Sequence, residues 1–258
     1  MESVTSKDGT IIAFDRLGDG PAVVLVTGGS VDRSSNAPLA DLLTDQATVF
    51  NYDRRGRGPS GDTPPYAVKR EIEDLEAVIE AAGGSAFVFG SSSGAALVLE
   101  AAADGLPISK LALWEPPYIA DPALRPPSDT AKTFETLVSE GRRGDAVEFF
   151  MAKVVGMPAE FVEQAKAQPW WAWSESLAHT LAYDATIMGD YSLPLDRAAL
   201  IEAPTLVIAG GASFPFMHET ARALATAIPN GEVRTLEGQT HNVAPEVLAP
   251  VLKEFLIS

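Results

Sequence analysis

The stretch Phe87–Gly94 reads FVFGSSSG and runs directly into AALVLEAAA. An apolar run, a turn of small residues and a second apolar run of helix formers describe a buried strand that bends sharply into a buried helix. Three serines stand in the turn, and glycines flank the middle one at equal distance. A residue on so sharp a turn adopts a strained backbone, so the residues two before and two after it must be small. Gly90 and Gly94 satisfy this for Ser92 and for neither of its neighbours. A serine that opens a helix also serves as an N-cap, but the strand before and the small-residue helix after it make Ser92 a candidate nucleophile.

The remaining chain repeats the same alternation. Glu2 to Leu17 contains two extended pieces joined by Lys7, Asp8 and Gly9, a hairpin turn. Ala22 to Val26 is an apolar run without alternation, which marks a strand buried on both faces, as in a parallel sheet. A short helix is expected at Pro38–Thr44, a strand in ATVFNYD, and a helix at Lys69–Ala82. That helix has Ile72, Leu75, Val78 and Ile79 on one face and Glu71, Glu73 and Asp74 on the other. Strands follow in ISKLALW, PTLVIAGG and EVRTLEG, and a closing amphipathic helix spans Pro245–Ile257. The order predicts an α/β fold with a mostly parallel, doubly wound eight-stranded sheet and an antiparallel edge.

Between about Tyr118 and Asp196 the rhythm stops and the sequence favours helices throughout. This predicts a helical cap, 118–196, inserted into a core of 1–117 and 197–258. Trp170, Trp171 and Trp173 lie in the cap, with His179 and Tyr183 nearby, and are expected to line an apolar substrate pocket, as is Ser30 in the core. The other reading of these aromatics is that they form the cap's own small core.

A serine nucleophile needs a base within reach and a third group to orient it. His241 is placed for this by the loop between the last strand and the last helix, on the carboxyl edge of the sheet where the serine turn lies. His218 and His179 are elsewhere. The acid does not follow PTLVIAGG, because GGASFPFM carries no Asp or Glu. Glu115, at the tip of KLALWEPPY, is on the same edge and is the expected acid. Backbone donors for an oxyanion are expected from Ser93 and from VTGGSVD, where Gly29 is favoured and Ser30 is the alternative. DRRGRG (Asp53–Gly58) reads as a structural turn with salt bridges.

Composition narrows the partners. A net charge of −16 disfavours nucleic acid and anionic membranes, both of which need clustered Lys and Arg. With no cysteine, thiolate nucleophiles and thiolate metal sites are excluded. No His, Asp and Glu spacing suggests a metal, no motif suggests a cofactor, and a soluble cytoplasmic protein acting on a small molecule is expected.

VTGG, YDRRGRGPS, GSSSGAA, APTLVIAGG and EGQTHNVAPEVLAPVLKEFL together resemble the alpha/beta-hydrolase superfamily over essentially the whole chain. The resemblance implies Ser92 as nucleophile, His241 as base, Glu115 as acid, and Gly29 and Ser93 as oxyanion donors. SSSGA with a glutamate after the sixth strand is similar to the zearalenone lactonases. It implies a cofactor-independent serine hydrolase of a carboxylic ester or lactone. Carbon–carbon bond hydrolysis, perhydrolysis as in haloperoxidases, a lyase reaction, or ligand binding without catalysis are the alternatives. Serine where aspartate would be required argues against haloalkane dehalogenase and epoxide hydrolase chemistry.

Overall fold

The amino end alternates in sequence and makes a hairpin. In the structure, a computed structural model that describes residues 1–257, β1 (Glu2–Thr5) and β2 (Ile11–Leu17) pair antiparallel. The turn between them depends on Gly9 at φ 88°, a left-handed conformation open to glycine at no steric cost. The apolar runs that follow become β3 (Ala22–Val26), β4 (Thr48–Tyr52), β5 (Ala86–Ser91), β6 (Ile108–Trp114), β7 (Thr205–Gly210) and β8 (Gly231–Leu236). Among the described residues they form one eight-stranded sheet in the order β1-β2-β4-β3-β5-β6-β7-β8. From β4 to β8 every pairing is parallel, while β2 joins β4 antiparallel.

Burial explains the lack of alternation in the central strands. Val24 and Val26 pack on one face of the sheet, and Val23 and Leu25 on the other, all four fully buried. The helices are α1 (Ala37–Leu43), α2 (Val68–Ala81), α3 (Ser93–Ala103), α4 (Thr130–Ser139), α5 (Arg143–Phe149), α6 (Ala159–Lys166), α7 (Trp171–Ser176), α8 (Thr180–Met188), α9 (Leu195–Ala198), α10 (Pro215–Ala227) and α11 (Pro245–Leu252). One face is covered by α1 and α11 through Leu39, Leu43, Leu248 and Leu252. The opposite face is covered by α2, α3 and α10 through Leu75, Leu97 and Leu224, among others. The final helix passes at Lys253–Ile257 into a wider π turn rather than continuing as an α-helix.

The helix α2 departs from the expected amphipathic pattern. Its acidic face is buried, with Glu71 at 1% exposure, because Arg54 and Arg55 come to meet it. Arg54 pairs with Glu71 through Nε and Nη2 at 2.9 and 2.8 Å, and Arg55 pairs with Asp74 at 2.7 and 2.8 Å. Buried charges persist when paired and hydrogen-bonded in this way.

Between β6 and β7 the chain contains only helical and irregular structure. Phe134, Ala146, Val147, Val162, Leu181 and Ala185 form a separate apolar cluster there. The helix α8, apolar on almost every side, is the element of this region that packs down onto α3 and α2.

Candidate active site

Ser92 caps α3 at φ 53° and ψ −124°, a conformation that costs on the order of 1–3 kcal/mol for a residue with a side chain. Its N–H donates to the carbonyl of Trp114 at 2.8 Å, which ties the turn to the neighbouring strand β6. The two flanking glycines are required by contact. A Cβ on Gly90 would stand 2.6 Å from Val98 Cγ2 and 2.7 Å from the Gly94 carbonyl oxygen. One on Gly94 would run into the Thr27 carbonyl and lie 2.8 Å from that of Val26.

Glu115 follows β6 directly and also takes a positive φ, 43°. This turns its buried carboxylate across the edge of the sheet. Oε2 meets His241 Nδ1 at 2.7 Å, and Oε1 accepts the N–H of Gly210, at the end of β7, at 2.7 Å. Burial pushes the Glu115 carboxyl up, but the hydrogen bonds from His241 and the Gly210 N–H outweigh it and hold the group below its ordinary value. It is therefore ionised at neutral pH. Trp114 Nε1 donates to the His241 carbonyl at 2.9 Å, and Gln239 Oε1 accepts the Ala244 N–H at 2.9 Å, so the histidine loop is fastened on both sides. The structure thus brings together the serine, histidine and glutamate expected from sequence, with Ser92 and His241 on the wall of one cavity.

The VTGG loop passes directly over the serine turn. A Cβ on Gly28 would be 3.1 Å from Ser92 Cβ and 3.2 Å from the Ser91 carbonyl oxygen, so glycine permits the approach. Gly29 and Ser93, expected from sequence to offer backbone donors, both border the cavity. Ser30, also expected to line the cavity, instead takes a φ of 55° in the turn of this loop and does not border the cavity. Arg57 donates to the Gly28 carbonyl and pins the loop from below.

The cavity has a volume of about 540 Å³. Its apolar wall comes from Leu39, Phe89, Ile119, Phe150, Met188 and Phe214. The aromatic residues expected to line it lie elsewhere. Trp170 and Trp173 are 45% and 40% exposed, and Trp171 packs into the apolar cluster of the segment between β6 and β7. Tyr183 stacks on Tyr66 with ring centroids 4.0 Å apart and donates to Asp62 Oδ2 at 2.8 Å. His179 sits beside the same Asp62, 3.9 Å away, and burial lowers its pKa. Tyr183 therefore fastens α8 to the loop after β4, His179 stands beside the same loop, and neither borders the cavity. The physical reason is that α8, not α7, is the helix turned toward the serine turn, with Asp184 and Met188 on the cavity.

Asp184 and Asn36, which sequence reasoning passed over, do border it. Asp184 interrupts LAYDATIM, and an acid alone in an apolar helix is the available sign of a buried carboxylate with partners. Those partners are Arg54 at 2.8 Å, Arg57 at 2.7 Å and Ser93 Oγ at 2.8 Å. DRRGRG is thus the salt-bridged turn expected of it, but a buried one that reaches into the site.

Comparison with known proteins agrees with this architecture. A family model described as the alpha/beta hydrolase family matches residues 23–251. The chain belongs to the alpha/beta hydrolase family. A crystal structure of an alpha/beta hydrolase from Sphaerobacter thermophilus is 55% identical, with a TM-score of 0.91 over 98% of this chain and 99% of that one. An enol-lactonase from Burkholderia xenovorans shares the fold at 22% identity and a TM-score of 0.74 over the full length of both chains. An uncharacterized hydrolase, YraK of Bacillus subtilis, is 34% identical over 96 residues, which is 36% of this chain and 35% of that protein. The Ser92 turn, the VTGG loop and the His241 loop all fall within the span matched by the hydrolase family.

Proposed function

We propose that this alpha/beta hydrolase cleaves a carboxylic ester or lactone of a largely apolar small molecule through an acyl-enzyme on Ser92. Ser92 Oγ attacks the carbonyl carbon while its proton passes to His241 Nε2, the ring nitrogen left free by the Glu115 contact. The N–H groups of Gly29 and Ser93 take the negative oxygen of the tetrahedral intermediate. Collapse breaks the bond to the alcohol oxygen, which leaves with the proton from His241; in a lactone that alcohol stays tethered to the acyl group. Water then gives its proton to His241, attacks the acyl carbon and releases the acid, and the proton returns to Ser92. Glu115, charged throughout, holds His241 in the required tautomer.

The observation that carries the reading is the 2.7 Å contact between His241 Nδ1 and Glu115 Oε2 behind a strained serine on the same cavity. A 4-nitrophenyl ester panel with Ser92→Ala tests it. The variant is expected to lose ~10⁴-fold or more in kcat, and a phosphonate probe should label the wild-type protein at Ser92 alone. Retained turnover in folded Ser92→Ala would rule the reading out.

A further inference from the structure

Asp184 has one oxygen saturated and one bare. Arg54 Nη1, Arg57 Nη2 and Ser93 Oγ all donate to Oδ1, at 2.8, 2.7 and 2.8 Å. Oδ2 is buried and has no hydrogen-bond partner, although the residue is 6% exposed and borders the cavity. An unmatched carboxylate oxygen in such surroundings costs about 1–3 kcal/mol or more, so an unused one calls for a purpose. Burial pushes this carboxyl up, but Arg57, Arg54 and Ser93 outweigh it and keep the group ionised. The position of Oδ2 is known from the glycine beneath it: a Cβ on Gly29 would stand 2.9 Å away. A second unpaired polar atom, Asn36 Nδ2, lies on the same cavity in a side chain 7% exposed.

We infer that Asp184 Oδ2 is a substrate-binding group that accepts a hydrogen bond from a hydroxyl on the acyl part, one or two carbons from the reacting carbonyl. The inference rests on the acyl-enzyme reading above. In serine acyl transfer the leaving oxygen faces the histidine, so a group beside Gly29, on the oxyanion side, meets the acyl part of the substrate. A neutral hydroxyl fits better than an ammonium, because two guanidinium groups already neutralise the carboxylate from behind and would repel a further cation. An acyl group with a second carboxylate is disfavoured as well, since two acceptor-only oxygens would meet with no donor between them. A substituent that can only accept hydrogen bonds leaves Oδ2 unpaired and is rejected on the same ground.

The test compares five 4-nitrophenyl esters: butanoate, 2- and 3-hydroxybutanoate, and 2- and 3-oxobutanoate. In the wild-type protein, kcat/KM for at least one hydroxy ester is expected to exceed both butanoate and its own oxo counterpart about ten- to a hundredfold. In Asp184→Asn the amide oxygen stays with the two arginines and the NH₂ group replaces Oδ2. A donor then stands where an acceptor stood, and the hydroxy-to-oxo ratio should fall to near one or invert. A side chain with only a structural role would lower all five rates together and leave the ratio alone. A wild-type preference below tenfold overturns the inference, as does a preference that Asp184→Asn leaves unchanged. If Asp184→Asn does not fold, the wild-type ratio decides. No turnover of any of the five esters, with no probe labelling of Ser92, would overturn the acyl-enzyme reading and this inference with it.

Discussion

A single methyl group at position 94 decides whether the serine turn can exist. The Cβ of an alanine there would enter the Thr27 carbonyl, and backbone directly at the end of a central strand cannot swing aside as a long side chain would. Gly94→Ala is therefore expected to lower stability by about 1–3 kcal/mol in urea unfolding. Phosphonate labelling of Ser92 in the surviving folded protein should slow as well, because α3 and the Ser93 N–H move together. Wild-type stability and labelling rate would show that the turn has room to spare. The steric rule behind this is local, so the sequence alone singles out Ser92 among three serines. Glu115 was legible for a related reason, being the acid at a strand tip on the correct edge. Asp184 was not, because its role depends on Arg54 and Arg57, about 130 residues away in the chain, and spacing in the sequence carries no trace of that meeting.

The helix α8 ties the helical segment between β6 and β7 to α2 and α3. It delivers Asp184 and Met188 to the cavity, while Tyr183 on its other side stacks on Tyr66 and holds Asp62. The aromatic density of the segment between β6 and β7 was legible in the sequence. Which of its faces would turn toward the serine was not, since hydrophobic content fixes that a residue is buried or bordering but not against what. The central strands were easier, because a run of Val, Ile and Leu without alternation has one physical explanation in a sheet covered on both sides. If the Tyr183 stack and hydrogen bond hold α8 down, Tyr183→Ala should speed amide hydrogen exchange in α8 by about tenfold or more, equivalent to ~1–2 kcal/mol of local stability. Exchange in β3, β5 and β6 should stay as it is. Equal acceleration in the strands would mean that the contact supports the whole fold rather than the seating of α8 alone.

Across the whole molecule, the arginines of DRRGRG connect three parts of the chain, α2, α3 and α8, through buried charge pairs and hydrogen bonds. Arg54 is fully buried, bonded to Glu71 on α2, to Asp184 on α8 and to Ser93 at the start of α3. Tyr66 donates to the same Glu71 at 2.8 Å. Such a network has little water to fall back on, so removing one member leaves an uncompensated charge. Glu71→Gln is expected to cost about 3–5 kcal/mol in urea unfolding. The loss should be nearly the same at low and at high salt, because mobile ions do not enter the buried cluster. The exposed pair Lys7–Glu76, at 2.6 Å, is the internal comparison. There, Glu76→Gln should cause only a small loss that fades as salt is added. If the Glu71→Gln loss also faded with salt, Arg54 would have to be reached by solvent, and the account of the cavity floor beneath Asp184 would need to admit water.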